Sequence, residues 1–190
     1  MYQVKVEIEG IAPILFNRFT EENQADVESG RSVGRQTADV KREKALSKVY
    51  RNGDGLFCPA ANIKKAMVLA CGISQLKHGR KSLGPILNAV LFLEPMEVPF
   101  GVEKPDFMHE QVGRIPPRTG ARVVLYRPAL NAGWKLSFAL NIFTDTVGID
   151  QVRRSLSDAG IYQGLCDGRP EYGRFKVNTF EPTKEKKVNG

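Results

Sequence analysis

Membrane-length apolar runs, histidines and paired cysteines are all scarce in this chain of 190 residues, and each scarcity excludes a class of function. Uncharged apolar runs such as residues 88–93 fall far short of the ~20 residues that a transmembrane helix needs. The N-terminus opens on valine alternating with charge, without a basic stub and apolar core, so no secretory leader is expected. The three cysteines, Cys58, Cys71 and Cys166, are odd in number and lack CxxC spacing, which argues against a disulfide framework and against a zinc site. His78 and His109 are the two histidines, and neither stands in a metal-ligand pattern such as HExxH. The expectation is a cytoplasmic protein with no membrane partner, no metal and no cofactor. Its cysteines should serve as small buried or half-buried residues.

What is present points to a folded domain of basic character. Apolar residues make up 42% and charged residues 26% of the chain, enough to bury a core over one domain, residues 1–180. The net charge is +7, and its distribution says more than its size. Seven basic residues (Arg31, Arg35, Lys41, Arg42, Lys44, Lys48, Arg51) face only Asp39 and Glu43. Lys64, Lys65, Lys77, Arg80 and Lys81 form an acid-free stretch, as do Arg114, Arg118, Arg122, Arg127 and Lys135. The acids collect in residues 94–110. Acid-free basic segments that converge in the fold would make a groove for a polyanion, the electrostatic footprint of a nucleic-acid binder; left apart, they are ordinary solvated faces.

The periodicity gives an order of elements. Val4, Val6 and Ile8 alternate with charges as a strand. Residues 17–56 are polar and glycine-punctuated, with a helix expected around residues 37–50, and read as an arm-like insertion. A helix follows Pro59, with Asn62 as a possible cap and Ile63, Ala66, Met67, Ala70 and Ile73 on one face. Residues 89–98 read as a strand, residues 100–120 as a second, irregular insertion, and residues 123–126 as another strand. Trp134, Leu136, Phe138, Leu140 and Ile142 alternate as a further strand, followed by a helix through Ile149, Val152, Leu156 and Ala159 that Gly160 should cap. A glycine loop, residues 164–173, leads into a last strand near Phe175 and Val177, and residues 181–190 read as a flexible tail. With the insertions set aside, the order is that of an α+β, ferredoxin-like βαββαβ core with an extra strand.

The glycine loop is the strongest local signal for chemistry. Gly164, Gly168 and Gly173 flank Arg169 and Arg174. Glycine lets backbone approach a phosphate and aim N–H groups at it, while arginine binds the anion bidentately. Equally, the glycines could serve only a tight turn needing positive φ at Gly168 and Gly173. The spacing is not GxGxxG, and residues 79–82 are not a P-loop. Among aromatics that could stack bases, Tyr126, Trp134, Tyr162 and Tyr172 stand out, with Trp134 reading as core and Tyr172 the best placed.

Residues 56–66, Leu-Phe-Cys-Pro-Ala-Ala-Asn-Ile-Lys-Lys-Ala, resemble the segment of form I-P-G-S-S-L-K-G-A-L-R that opens the first helix in the RAMP superfamily of CRISPR-associated RNA-binding proteins. Residues 160–177 are similar to the glycine-rich loop and following strand of that superfamily. Ala60 stands where the superfamily has glycine, and Lys65 where a second glycine is common. The resemblance implies the repeated backbone subunit of an effector complex, whose partners are single-stranded guide RNA, target nucleic acid, further copies of itself and other effector subunits. It would make residues 17–56 the protruding arm, and would place Arg18, Lys64, Lys65, Arg169 and Arg174 along the guide. Gly168, Tyr172 and Gly173 of the loop, with Arg31, Arg35, Lys41, Arg42, Lys77, Arg80, Lys81, Arg114 and Arg118, complete the expected interface. Two alternatives stay open: a metal-independent repeat endoribonuclease, and a phage single-stranded DNA-binding protein on the same fold. Catalysis has only weak candidates, His78 beside Lys77 and, by the resemblance, the insertion aspartates Asp26 and Asp39.

Overall fold

The computed structural model of the chain describes residues 1–20, 37–115 and 120–183. In chain order its elements are β1 (Tyr2–Gly10), β2 (Ile14–Leu15), α1 (Ala38–Leu46), β3 (Arg51–Asn52), β4 (Gly55–Pro59), α2 (Ala60–Ile73), β5 (Lys77–His78), β6 (Lys81–Ser82), α3 (Leu83–Val90), β7 (Leu91–Glu94), β8 (Glu97–Pro99), β9 (Phe107–Ile115), β10 (Ala121–Leu130), β11 (Lys135–Ile142), α4 (Ile149–Tyr162) and β12 (Phe175–Thr183). The main sheet has the order β12-β1-β11-β7, with every pair antiparallel. β1 crosses to β7 through α2, and β11 crosses to β12 through α4. That is the split β-α-β arrangement, so the expected ferredoxin-like α+β core is present.

Alternation builds the sheet. Val4, Val6 and Ile8 of β1 and Leu136, Phe138 and Leu140 of β11 point inward, buried beneath α2 and α4. Ile63, Ala66, Met67 and Ala70 of α2 and Val152, Leu156 and Ala159 of α4 fill the other half of the core. Each large aliphatic side chain buried this way contributes about 1.5–3 kcal/mol. Gln151 steadies the start of α4, its Oε1 accepting the Gly148 N–H at 3.1 Å.

Several elements differ from the sequence expectation. Gly160 does not cap a helix: α4 runs on to Tyr162, and a Cβ at Gly160 would sit 2.1 Å from the Phe175 carbonyl oxygen. This glycine instead lets α4 lie directly on β12. Residues 83–90 form a helix, α3, which takes the first two residues of the strand expected over 89–98 and leaves β7 and β8 for the rest; Pro85 stands in the first turn, where its missing N–H costs nothing, and Leu83 and Leu87 share the buried face. The stretch expected to be irregular, residues 100–120, holds β9, which pairs along its length with β10. Its alternation is faint because neither face is fully buried: the paired Val112 and Val124 are 66% and 39% exposed on one face, and Val123 and Leu125 are half-buried on the other. Within residues 17–56, the described part comprises α1, β3 and the start of β4, and Ala45, Val49 and Leu56 reach the core. Ile73 is exposed at the end of α2. β12 continues to Thr183, inside the stretch expected to be tail; residues 184–190 lie outside the described residues.

Two glycine substitutions test this packing. Gly160→Ala must push β12 away and should lower unfolding free energy by about 2–3 kcal/mol. Gly72→Ala, in open space on α2, should raise it by about 0.5 kcal/mol. Urea titration reads both.

Candidate nucleic-acid interface

The loop between α4 and β12 is shaped by three glycines with φ of +69° (Gly164), +70° (Gly168) and +71° (Gly173), a region other residues enter only with strain. The loop closes on itself, the Leu165 N–H donating to Gly173 O at 3.0 Å and the Tyr172 N–H to Gly168 O at 3.1 Å. It is also stitched to the chain after β1: Gly173 N–H donates to Pro13 O at 2.8 Å, and Asp167 N–H to Leu15 O at 3.0 Å. These amides are spent inside the protein. The N–H groups of Leu165, Asp167, Tyr172 and Gly173 are therefore closed to an anion.

Side chains brace the same loop. Arg127 Nε lies 2.7 Å from Asp167 Oδ2, Tyr172 Oη lies 3.3 Å from His109 Nε2, and Arg174 Nε donates to Pro170 O at 2.7 Å. Tyr172, Gly173 and Arg174 thus hold the loop together, Gly173 from a buried position. Arg169, at the outer tip, is exposed.

Arg169 stands where two cavities meet. A groove of about 650 Å³ runs between Leu69 and Ile73 on α2, Tyr162 at the end of α4, and Gly168, Arg169 and Pro170 of the loop. A smaller cavity of about 190 Å³ adjoins it, walled by Asn17, Tyr50 and Asn62, and shares Cys166, Asp167 and Arg169 with the groove. Burial pushes the Tyr50 phenol up, as does the nearby Cys166 thiol, while a hydrogen bond to Asn62 and the charge of Arg18 pull it back. Contact with Cys166, and then burial, hold the Cys58 thiol well above its ordinary value.

The predicted cations separate into groups. Lys65 is exposed on the ridge of α2 that carries Asn62 and Leu69, three residues from the one and four from the other, without itself lining either cavity. Arg18 follows Asn17, and its charge reaches Tyr50. Lys64, one residue from Lys65, turns the other way: its Nζ lies 4.9 Å from the centroid of the Phe92 ring on edge strand β7. Lys77, Arg80 and Lys81 occupy the β5–β6 hairpin just beyond Ile73, with Lys77 O accepting from Gln151 Nε2 at 2.8 Å. Arg42, on α1, pairs with Glu110 at 2.5 Å and lies over the Tyr126 ring; its charge is reinforced by that carboxylate. Lys41 is half-buried on the same helix. Arg114 donates to Gly120 O at 3.3 Å, toward the far end of the β9–β10 pair. Arg31, Arg35, Arg118 and Asp26 lie outside the described residues.

Of the catalytic candidates, His78 sits half-buried on β5 opposite Lys81. Asp39 is 94% exposed on α1, 3.9 Å from Arg42. Neither lines the groove. Of the aromatics, Tyr126 and Trp134 are buried and Tyr172 packs on His109, leaving Tyr162 at the groove. Sequence reasoning did not find Asn17, Leu69 or Asp167. Leu69 carried a usable signal, an apolar side chain lying off the buried face of its helix.

The open face of the sheet is less suited to a polyanion. Glu7 and Glu9 project from it, balanced by Lys135 at 3.9 Å and Lys176 at 3.5 Å. Asn178 donates to Glu9 at 2.7 Å and, more than Lys176, holds that carboxyl below its ordinary range.

No family model matches the chain, and no curated protein matches it. Among solved structures, it is similar to a chain in the cryo-EM structure of the Type III-B Cmr-beta bound to cognate target RNA, with a TM-score of 0.56 and 13% identity. The match covers 96% of this chain and 61% of the other, so the present chain spans about three fifths of that neighbour's length. What the two share is the fold. Among the described residues, no helix is long and apolar enough to cross a membrane.

Cysteine labelling tests the geometry of the loop. With a maleimide, native protein should be modified at Cys166, which lines the groove, while buried Cys58 and Cys71 stay unmodified until denaturant is added. Mass spectrometry of the digested protein reads the outcome.

Proposed function

We propose that this chain is a CRISPR-associated RNA-binding subunit that holds single-stranded RNA along the groove between α2 and the glycine loop. The observation that carries the reading is Arg169, exposed where the two cavities meet; Arg18 follows the lining residue Asn17, and Lys65 is exposed on the helix ridge that carries Asn62 and Leu69. Phosphates would pair with these side chains, and Tyr162 would offer a stacking surface to a splayed base. The basic β5–β6 hairpin, just past Ile73, extends the positive track along the length of α2, about 20 Å. A fold shared with a chain of an RNA-bound Cmr structure agrees with this assignment.

The finer reading is that of a repeated backbone subunit in a cytoplasmic effector complex, its copies and sister subunits lined up on one guide strand. Its support is the resemblance of residues 56–66 and 160–177 to the RAMP superfamily, with the first segment now seen as β4 leading into α2 and the second as loop and β12.

Binding of a fluorescent single-stranded RNA, titrated against salt, checks the assignment. Arg169→Ala and Lys65→Ala should each weaken binding and reduce the slope of log K against log salt by about 0.7, the loss of one phosphate contact. Lys64→Ala, directed at Phe92 on the far side of α2, should have less than half that effect on affinity. Equal effects at the two lysines would move the RNA away from this groove. RNA should also shield Cys166 from maleimide.

A further inference from the structure

We propose that the smaller cavity at the head of the groove is a base-reading pocket selective for guanine, an inference that rests on the RNA-binding reading and adds sequence preference to it. The first argument is Asp167. A carboxylate repels phosphate, yet Asp167 forms a wall common to both cavities, with its side chain 38% exposed. What a fixed carboxylate accepts is N–H, and this one is fixed: Arg127 Nε, on a largely covered side chain, holds Oδ2 at 2.7 Å. Each carboxylate oxygen has a second lone pair, so the ion pair leaves acceptor capacity toward the cavity.

The other walls supply the complementary groups. Asn17 and Asn62 each carry an amide with two donors and an acceptor, and Tyr50 adds a phenol that burial keeps protonated. At about 190 Å³ the cavity is smaller than a drug-sized ligand site, roughly 300–1,000 Å³, and suits one ring system better than a length of strand. Among the bases, guanine alone presents two adjacent N–H donors, N1–H and the N2 amine, beside the O6 acceptor. The donor pair suits a carboxylate, and O6 suits an asparagine amide. Adenine and cytosine would set a ring nitrogen lone pair against Asp167, and uracil flanks its single N–H with two carbonyls. Arg169, at the mouth, would hold the phosphate of the same nucleotide.

The test uses full-length protein and short oligoadenylates carrying guanosine, inosine or cytidine at alternate positions, with plain oligoadenylate as reference, all at one salt concentration. Inosine differs from guanosine in lacking the N2 amine. Guanosine-containing RNA should bind about tenfold tighter than the inosine and cytidine forms. Asp167→Asn should abolish that preference while raising affinity for plain oligoadenylate, because a negative charge leaves a polyanion site. Asn62→Ala should reduce the preference without touching the Arg127 pair. Both variants are compared with the parent by thermal melting; should Asp167→Asn lose its fold, the Asn62→Ala ratio decides. Equal affinities of the parent protein for the substituted RNAs would overturn the pocket and leave the phosphate groove standing. A preference that survives in the folded variants would also overturn it. Failure to bind any of these RNAs would remove the RNA-binding reading and the pocket with it.

Discussion

The backbone hydrogen bond from Leu165 to Gly173, with its companions from Gly173 to Pro13 and from Asp167 to Leu15, is the constraint on which the candidate site depends. It folds a loop of ten residues back on itself and anchors it to the chain leaving the central strand. Only left-handed residues make such a closure. A Cβ at Gly173 would lie 2.1 Å from Leu165 O, and one at Gly164 would lie 2.4 Å from Tyr172 O. With the base of the loop locked, its tip is held as a rigid platform, and Arg169 is presented from it without committing the guanidinium to the fold. Rigid presentation limits the entropy lost when a long side chain binds an anion.

The loop's closure decides which parts of the molecule can meet a polyanion. The amides of Leu165, Asp167, Tyr172 and Gly173 are consumed by the closure, and the positive charge beside the groove comes from arginine and lysine side chains. The sheet face, where many domains of this topology place nucleic acid, carries Glu7 and Glu9 in ion pairs with Lys135 and Lys176. A strand laid there would have to displace those lysines from carboxylates. Among the described residues that line the groove, the one acid is Asp167, already paired with Arg127.

The core was legible in the sequence because its signals are strong and local. Valine alternation in β1, the clean apolar alternation of β11 and the helical spacing in α2 and α4 each report a buried face, and the ferredoxin-like order follows from them. The β9–β10 pair was not legible because two solvated faces leave little period-two pattern. Gly160 was misread because a glycine near a helix end is ambiguous between a cap and a close approach, and only the position of Phe175 resolves it. At the site, Arg169 and Lys65 were identifiable as cations on the right elements. That Lys64 and Lys65 part company could not be read from charge, since it depends on the position of Phe92 at the sheet edge. The walls supplied by Asn17, Tyr50 and Asp167 come from three distant parts of the chain and converge only through the tertiary fold.

The central claim is that RNA lies against the groove of α2 and the glycine loop, and zero-length photocrosslinking of bound single-stranded RNA, followed by peptide mapping, tests it most directly. Crosslinks should concentrate in residues 162–170, with Tyr162 and Cys166 as the chief sites, and in residues 17–18 and 50 at the head of the groove. Crosslinks confined to the open sheet face, at Phe92, Phe143 and residues 135–141, would contradict the account.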